Sequence, residues 1–226
     1  MRLTRLFAPV APPEFRLEED AAHHLRVLRL RPGDRFLAID QGCDWLCELT
    51  RGGKAKVLES RPARPEPSVA LDLKLALVKG ERFDQAVEMA SELGVRSITP
   101  LLTGRTVGEQ PGVTRIARWE RISRSAAALS GRAHFASIEP VLRLEEALAS
   151  CGPGILFCPG QKALRELPAG QRLSLWLGPE GGFAPEEVEG ASRQGLVLAG
   201  LGERILRVET AAVVALTLVL QLAGEL

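Results

Sequence analysis

The chain has 226 residues, 46% hydrophobic and 25% charged, with 29 basic side chains against 28 acidic ones for a net charge of +1. That composition excludes disordered and fibrous proteins, while the length suits one large domain or two of roughly 100 residues. A balance so close to neutral also means that any surface for nucleic acid must be local.

The N-terminal third reads as short strands and turns: Arg5 to Phe7, Asp34 to Ile39, Trp45 to Leu49 and Lys54 to Leu58, divided by Pro32-Gly33, Gln41-Gly42 and Gly52-Gly53. This pattern predicts a small β-barrel. One helix interrupts it, Ala21 to Leu30, with Glu18, Glu19 and Asp20 in a first turn where acids favour the helix N-terminus. Residues 61 to 68 hold three prolines in eight positions, which suits neither helix interior nor central strand, and they read as a linker.

Beyond the linker, strands alternate with helices. The expected order is strand Val69 to Val78, helix Phe83 to Leu93, strand Ser97 to Leu101 and helix Val113 to Leu129. It continues with strands Gly154 to Cys158 and Leu173 to Leu177, helix Pro185 to Gln194, strand Leu196 to Ala199 and helix Thr210 to Ala223. Such alternation predicts an α/β domain with a parallel sheet, whose ligands sit beyond the carboxyl ends of the strands. The run Ala211 to Leu220 is far shorter than the roughly 20 residues that span a bilayer, and the N-terminus lacks a signal pattern; a cytoplasmic protein is expected. The cysteines (Cys43, Cys47, Cys151, Cys158) and histidines (His23, His24, His134) lack zinc-ligand spacing, so reduced thiols and no metal are expected.

Two loops invite chemistry. Gly178-Pro179-Glu180-Gly181-Gly182 follows a strand and leads to a helix opened by Pro185, and its glycines let main chain face a ligand. It fits neither the dinucleotide fingerprint nor the phosphate loop; taken alone it also suits a tight strand-to-helix turn. The loop from Leu201 to Thr210 mixes charged and apolar residues before an apolar helix, and it suits either an amphipathic ligand or a surface loop with Thr210 as helix N-cap.

The ordered combination of Leu177 to Gly182, Leu201-Gly202 and Ile205 to Ala211 resembles the SPOUT superfamily of RNA methyltransferases, and within it the RsmE type. Glu92 to Val95, Ile98 to Leu101, Trp119 with Ile122, and Ser130 to Arg132 are similar to that family's middle region, and His24 with Val27 to Arg29 and Gly33 to its N-terminal domain. The resemblance implies residues 1–66 as a PUA-like, RNA-binding barrel and residues 67–226 as a methyltransferase domain whose C-terminal part forms a deep trefoil knot. It implies a homodimer, and methylation of uridine N3 in 16S ribosomal RNA of the small ribosomal subunit. It further implies S-adenosylmethionine bound by three loops: Leu156 and Phe157; Leu177, Gly178, Pro179, Glu180, Gly181 and Gly182; and Leu201, Gly202, Ile205, Leu206, Val208, Thr210 and Ala211. The family pattern is not kept at Ala128-Leu129 or at Met89-Ala90-Ser91.

Uridine N3 carries a proton at neutral pH, so a group must remove it or stabilise the anion. Glu180 and Glu209 are candidate bases, and Arg207, with Arg204 as a second candidate, would stabilise the pyrimidine oxygens. Arg26, Arg29 and Arg31, and Arg115, Arg118, Arg121 and Arg132, form two arginine-rich segments expected to bind RNA phosphates. Two rival functions are methylation of another RNA site, such as a transfer-RNA ribose hydroxyl, and a knotted RNA-binding assembly factor without activity.

Overall fold

The computed structural model describes residues 3–107 and 110–226. They divide into two units, Met1–Glu66 with Arg124–Phe135 and Pro67–Ser123 with Ala136–Leu226. Residues 124–135, read from the sequence as part of the second domain, pack with the first unit.

In the first unit β1 (Arg5–Phe7), β2 (Glu14–Arg16), β3 (Arg35–Asp40), β4 (Cys43–Leu49) and β5 (Lys54–Pro62) form one sheet in the order β1-β3-β4-β5-β2. Only the β1–β3 pair is parallel. β1 and β2 stand at the ends of this order. The short α1 (Glu19–Val27) buries Ala21 and Leu25, and Leu25 joins Phe15, Phe36, Ala38 and Cys47 in the core. Burial pushes the Cys47 thiol up to about 11. The helix is shorter than its apolar pattern predicted because Arg29 takes φ +61 and ends it. β5 is longer than expected: Pro62 closes it opposite Cys43, at the end of the ladder where a missing N–H costs least.

Residues 124–135 are held to this sheet by two sets of contacts. Phe135 lies between the Phe7 ring, 5.0 Å away edge-on, and the Arg124 guanidinium, 4.7 Å over its face. Glu66 accepts from Arg132 Nη2 at 2.7 Å and from the amides of Ala133 and His134.

The second unit is built on β6 (Ala70–Ala76), β7 (Ser97–Leu102), β8 (Ser137–Ile138), β9 (Leu142–Arg143), β10 (Gly154–Phe157), β11 (Arg172–Leu177) and β12 (Val197–Ala199). The order is β12-β10-β11-β6-β7-β8, with β9 also on β7, and every pair is parallel. β6, β10 and β11 are buried almost throughout, as strands covered on both faces must be. Their helices are α2 (Arg82–Glu92), α3 (Val113–Ser130), α4 (Leu144–Ala149), α5 (Pro185–Arg193) and α6 (Val208–Leu222). Phe83 of α2 meets Trp119 of α3 at 4.3 Å, and the Trp119 indole N–H donates to Asp84 at 2.7 Å. α6 packs on α2 and β11, burying Ala212, Ala215, Leu216, Val219 and Leu220. β11 lies between β10 and β6, although β10 precedes it and β6 comes far earlier. The chain therefore returns to the inside of the sheet before going out again to β12.

Candidate functional site

The strands β10, β11 and β12 run parallel, so their carboxyl ends lie on one side, and the loops that follow them meet there. A narrow cleft of about 100 Å³, open to solvent on one side, forms between them. Phe157, Cys158 and Pro159 come from the first loop, Leu177, Gly178, Pro179, Glu180 and Gly182 from the second, and Leu201, Gly202, Arg204, Ile205 and Leu206 from the third. Val208 and Ala211 add the start of α6. Two segments read separately from the sequence are thus joined with a third into one surface, apolar side chains alternating with exposed main chain.

Not every expected residue lines this cleft. Leu156 is fully buried in a second apolar cluster with Leu101 and Trp176, because alternate residues of a strand face opposite sides. Gly181 is turned away, its carbonyl accepting from Arg105 Nη1 at 2.7 Å. Thr210 is exposed and is not the cap of α6; the helix starts two residues earlier, with Arg207 as N-cap in extended conformation, because Val208 packs into the core. Gly202 takes φ +97, and a side chain built there meets nothing within 4 Å. The cleft is open beside its backbone.

The three candidate catalytic side chains differ in surroundings. Glu180 lies in the cleft wall and pairs with Arg82, Nη1 to Oε1 at 2.8 Å, both ends substantially exposed. Such a pair contributes roughly 0–1 kcal/mol, so the carboxylate is held in place more than it is stabilised. Arg207 is exposed. Glu209, in the first turn of α6 beside Val208, is 8% exposed, and its Oε2 has no hydrogen-bond partner among the described residues. A buried, unsatisfied carboxylate oxygen is costly, and the helix N-terminus offsets part of that cost. In the cleft wall, burial of the Cys158 thiol pushes its pKa up.

Arg82 and Arg105 escaped the sequence reading, since Arg82 opens α2 and Arg105 follows β7, both far along the chain from the loops of the cleft, and neither carries a motif. Glu187 escaped it too. Its carboxylate accepts from the Ala184 amide at the start of α5 and from the Gly104 amide after β7, both at 2.7 Å, so it ties two loops together beside the cleft.

The arginine segments are unequally available. Arg26, Arg29 and Arg31 are exposed in the first unit. On α3, Arg115 donates to the Gly80 carbonyl at 3.2 Å and lies over Trp119, Arg118 pairs with Asp84 at 2.8 Å, and Arg121 is exposed. Arg132 differs from the expectation. Its side chain is 9% exposed and bound to Glu66, so it fastens residues 124–135 to the first unit instead of offering charge to solvent. Among the described residues no group of three His, Cys, Asp or Glu side chains could hold a metal ion, and no helix is long and apolar enough to cross a membrane.

Two family models match the chain, an RNA methyltransferase domain over residues 64–220 and an RNA methyltransferase PUA domain over residues 17–58. The ribosomal RNA small subunit methyltransferase E of Mycobacterium bovis is 33% identical over 220 residues, 88% of this chain and 82% of that protein. The namesake from Bacillus subtilis is 28% identical over 227 residues, 91% of this chain and 89% of its own. Among solved structures, a ribosomal RNA small subunit methyltransferase E from Neisseria gonorrhoeae bound to S-adenosyl methionine superposes with a TM-score of 0.91 at 27% identity, covering 98% of each chain. The chain carrying this three-loop cleft belongs to the RNA methyltransferase family that includes the ribosomal RNA small subunit methyltransferases E.

Proposed function

We propose that this protein is an S-adenosylmethionine-dependent methyltransferase that modifies uridine N3 in 16S ribosomal RNA of the small ribosomal subunit, in the cytoplasm where that subunit is built. The observation that carries this reading is the convergence of the loops after β10, β11 and β12 on one cleft, in a chain whose relatives are named ribosomal RNA small subunit methyltransferases E. The cofactor fits the residues present. Leu177, Leu201, Leu206 and Val208 offer apolar walls for a flat purine, main chain at Gly202 is open to its polar edges, and among the described residues the only cationic side chain in the wall is Arg204. No phosphate cradle is needed for a ligand without phosphate. Bound there, S-adenosylmethionine would supply an electrophilic methyl group.

The chain's own part is to position, to exclude water and to move one proton. Glu209, buried with a free acceptor oxygen, is the better candidate for holding the N3 proton; Glu180, fixed by Arg82, would orient the loop or the base. Arg207, and Arg204 beside it, would stabilise negative charge on the pyrimidine oxygens. Residues 1–66 would serve as the PUA-like RNA-binding domain and residues 67–226 as the methyltransferase domain. Exposed Arg26, Arg29, Arg31 and Arg121 would supply phosphate contacts, with Arg115 and Arg118 contributing the charge their own bonds leave over. The insertion of β11 between β10 and β6 supports a C-terminal trefoil knot. On α6, Val214 and Leu222 remain 37% and 36% exposed in the single chain, which supports a homodimer built on that helix.

The decisive test incubates the purified protein with methyl-labelled S-adenosylmethionine and undermethylated small subunits or their RNA, followed by nucleoside analysis. N3-methyluridine is the expected product. A labelled ribose hydroxyl would refute the base assignment, and no transfer despite cofactor binding would favour an inactive RNA-binding factor.

A further inference from the structure

The first unit holds a second cavity, of about 560 Å³, which nothing in the methyl-transfer reading uses. Its floor is the Arg5–Asp44 pair, Nη2 to Oδ1 at 2.5 Å, with the Arg5 side chain 9% exposed and the Asp44 side chain 8%. Arg5 Nη1 also donates to the Ala128 carbonyl, and its Nε is buried without a partner among the described residues. Asp44 is thus neutralised from below. Above it stand two more guanidinium groups. Arg61, 66% exposed, reaches the other oxygen of Asp44 only at 3.6 Å, and exposed Arg64 makes no ion pair among the described residues.

Three arginines against one aspartate, with no other acid in the wall, leave the cavity with an excess of two positive charges. Leu37 and Pro62 give the rest of the wall an apolar character. At Gly131 a side chain would lie 3.0 Å from Arg5 Nη1 and 3.6 Å from Arg64 Cδ, so the absence of one there keeps room beside the guanidinium groups.

Planar guanidinium groups bind phosphate oxygens in pairs and stack on bases, and unpaired RNA is recognised by splayed bases on such surfaces. We infer that this cavity is a nucleotide subsite for single-stranded RNA, in which Arg61 and Arg64 hold one phosphodiester while its nucleoside rests against Leu37 and Pro62. The inference rests on the RNA-modifying function proposed above and adds an anchor distinct from the cleft where the methyl group is transferred.

The test is binding of a fluorescent single-stranded oligoribonucleotide of ten residues, titrated across a salt series, to the full-length chain and to its Arg61→Glu/Arg64→Glu variant. Arg64→Ala serves as a milder companion, since Arg64 has no partner to lose, and cofactor affinity and the melting curve confirm that both variants are folded. Expected is at least a tenfold loss of affinity in the double variant, a smaller loss in Arg64→Ala, and a salt slope shallower by about 0.7, the loss of one neutralised phosphate on a single strand. Cofactor affinity is unchanged. Unaltered RNA affinity and slope in both folded variants would overturn the subsite while leaving the methyltransferase reading intact. A wild-type chain that binds no RNA at any salt concentration would overturn that reading and the subsite together. If inorganic phosphate alone saturates the cavity with the same arginine dependence and displaces no RNA, the site is one for free anions and the inference fails.

Discussion

Two glycines two residues apart, Gly200 and Gly202, separate folding from ligand binding. A methyl group at Gly200 would sit 2.3 Å from the Gln161 carbonyl oxygen, about 1 Å short of ordinary contact. The obstacle is backbone, and it is held: the Gly200 amide donates to the Lys162 carbonyl at 2.8 Å, and Ala163 bridges to Gly200. Overpacking of this kind costs roughly 1–3 kcal/mol and occasionally more, and Gly200→Ala belongs at the upper end. For a chain of this size each kcal/mol lowers the melting temperature by roughly 2–4 °C, so a fall of about 6–12 °C is expected. Gly202→Ala meets no atom, but its φ of +97 strains any side chain by about 1–3 kcal/mol, while its methyl group occupies open space beside the cleft. Its main effect should be weaker S-adenosylmethionine binding at a temperature where the variant is fully folded. Thermal unfolding by circular dichroism reads the first effect and titration calorimetry the second. A Gly200→Ala protein melting within a degree or two of wild type, or a folded Gly202→Ala protein with wild-type cofactor affinity, would refute the reasoning.

Glu209→Gln should bind cofactor as wild type does and lose methyl transfer by at least tenfold, whereas Glu180→Gln, which breaks only an exposed pair with Arg82, should lose less; equal losses in single-turnover assays would remove the distinction between them. Val214→Glu places charge at a position exposed in the single chain, so the fold should persist while sedimentation equilibrium shows about 24.4 kDa instead of twice that mass; an active wild-type monomer would dismiss the dimer. Burial raises the pKa of Asp72, but the bonds from Arg172 and Ser97 and the charge of Arg96 outweigh it and hold its carboxyl below the ordinary value of 3.8. A carboxyl depressed on folding stabilises above that value and ceases to as pH falls through its folded pKa, so Asp72→Asn should flatten the loss of stability below about pH 4, and an unchanged acid-unfolding profile would contradict this. Arg121→Ala should weaken RNA binding more than Arg118→Ala, whose charge is already engaged by Asp84; the reverse order in a filter-binding assay would count against reading availability from exposure.

Much of the second unit was legible because its signals are local. β6, β10 and β11 are apolar runs bounded by turns, α5 opens with Pro185 and two glutamates, and Gly178 to Gly182 announces a loop whatever surrounds it. The elements that escaped carry too few residues for a period to show: β2 is three residues at the end of a sheet, and β8 and β9 are two each. Helix periodicity also hid a boundary, since α3 runs unbroken from Val113 to Ser130 while its last residues pack with the first unit through Phe135 and Glu66. In α6 the even spread of Val and Leu marks no buried side; packing on α2 and β11 decides which side is covered, and the outward face keeps Thr210, Val214, Thr217 and Gln221. The family and the glycine-bearing loops were thus written in the chain's own order. That these loops share one cleft, that Glu180 is held by Arg82, that Glu209 lies buried with an unpaired oxygen and that Arg132 is tied to Glu66 were decided by strand order and long-range contact. Such contacts join residues tens of positions apart, and no periodicity along the sequence records them.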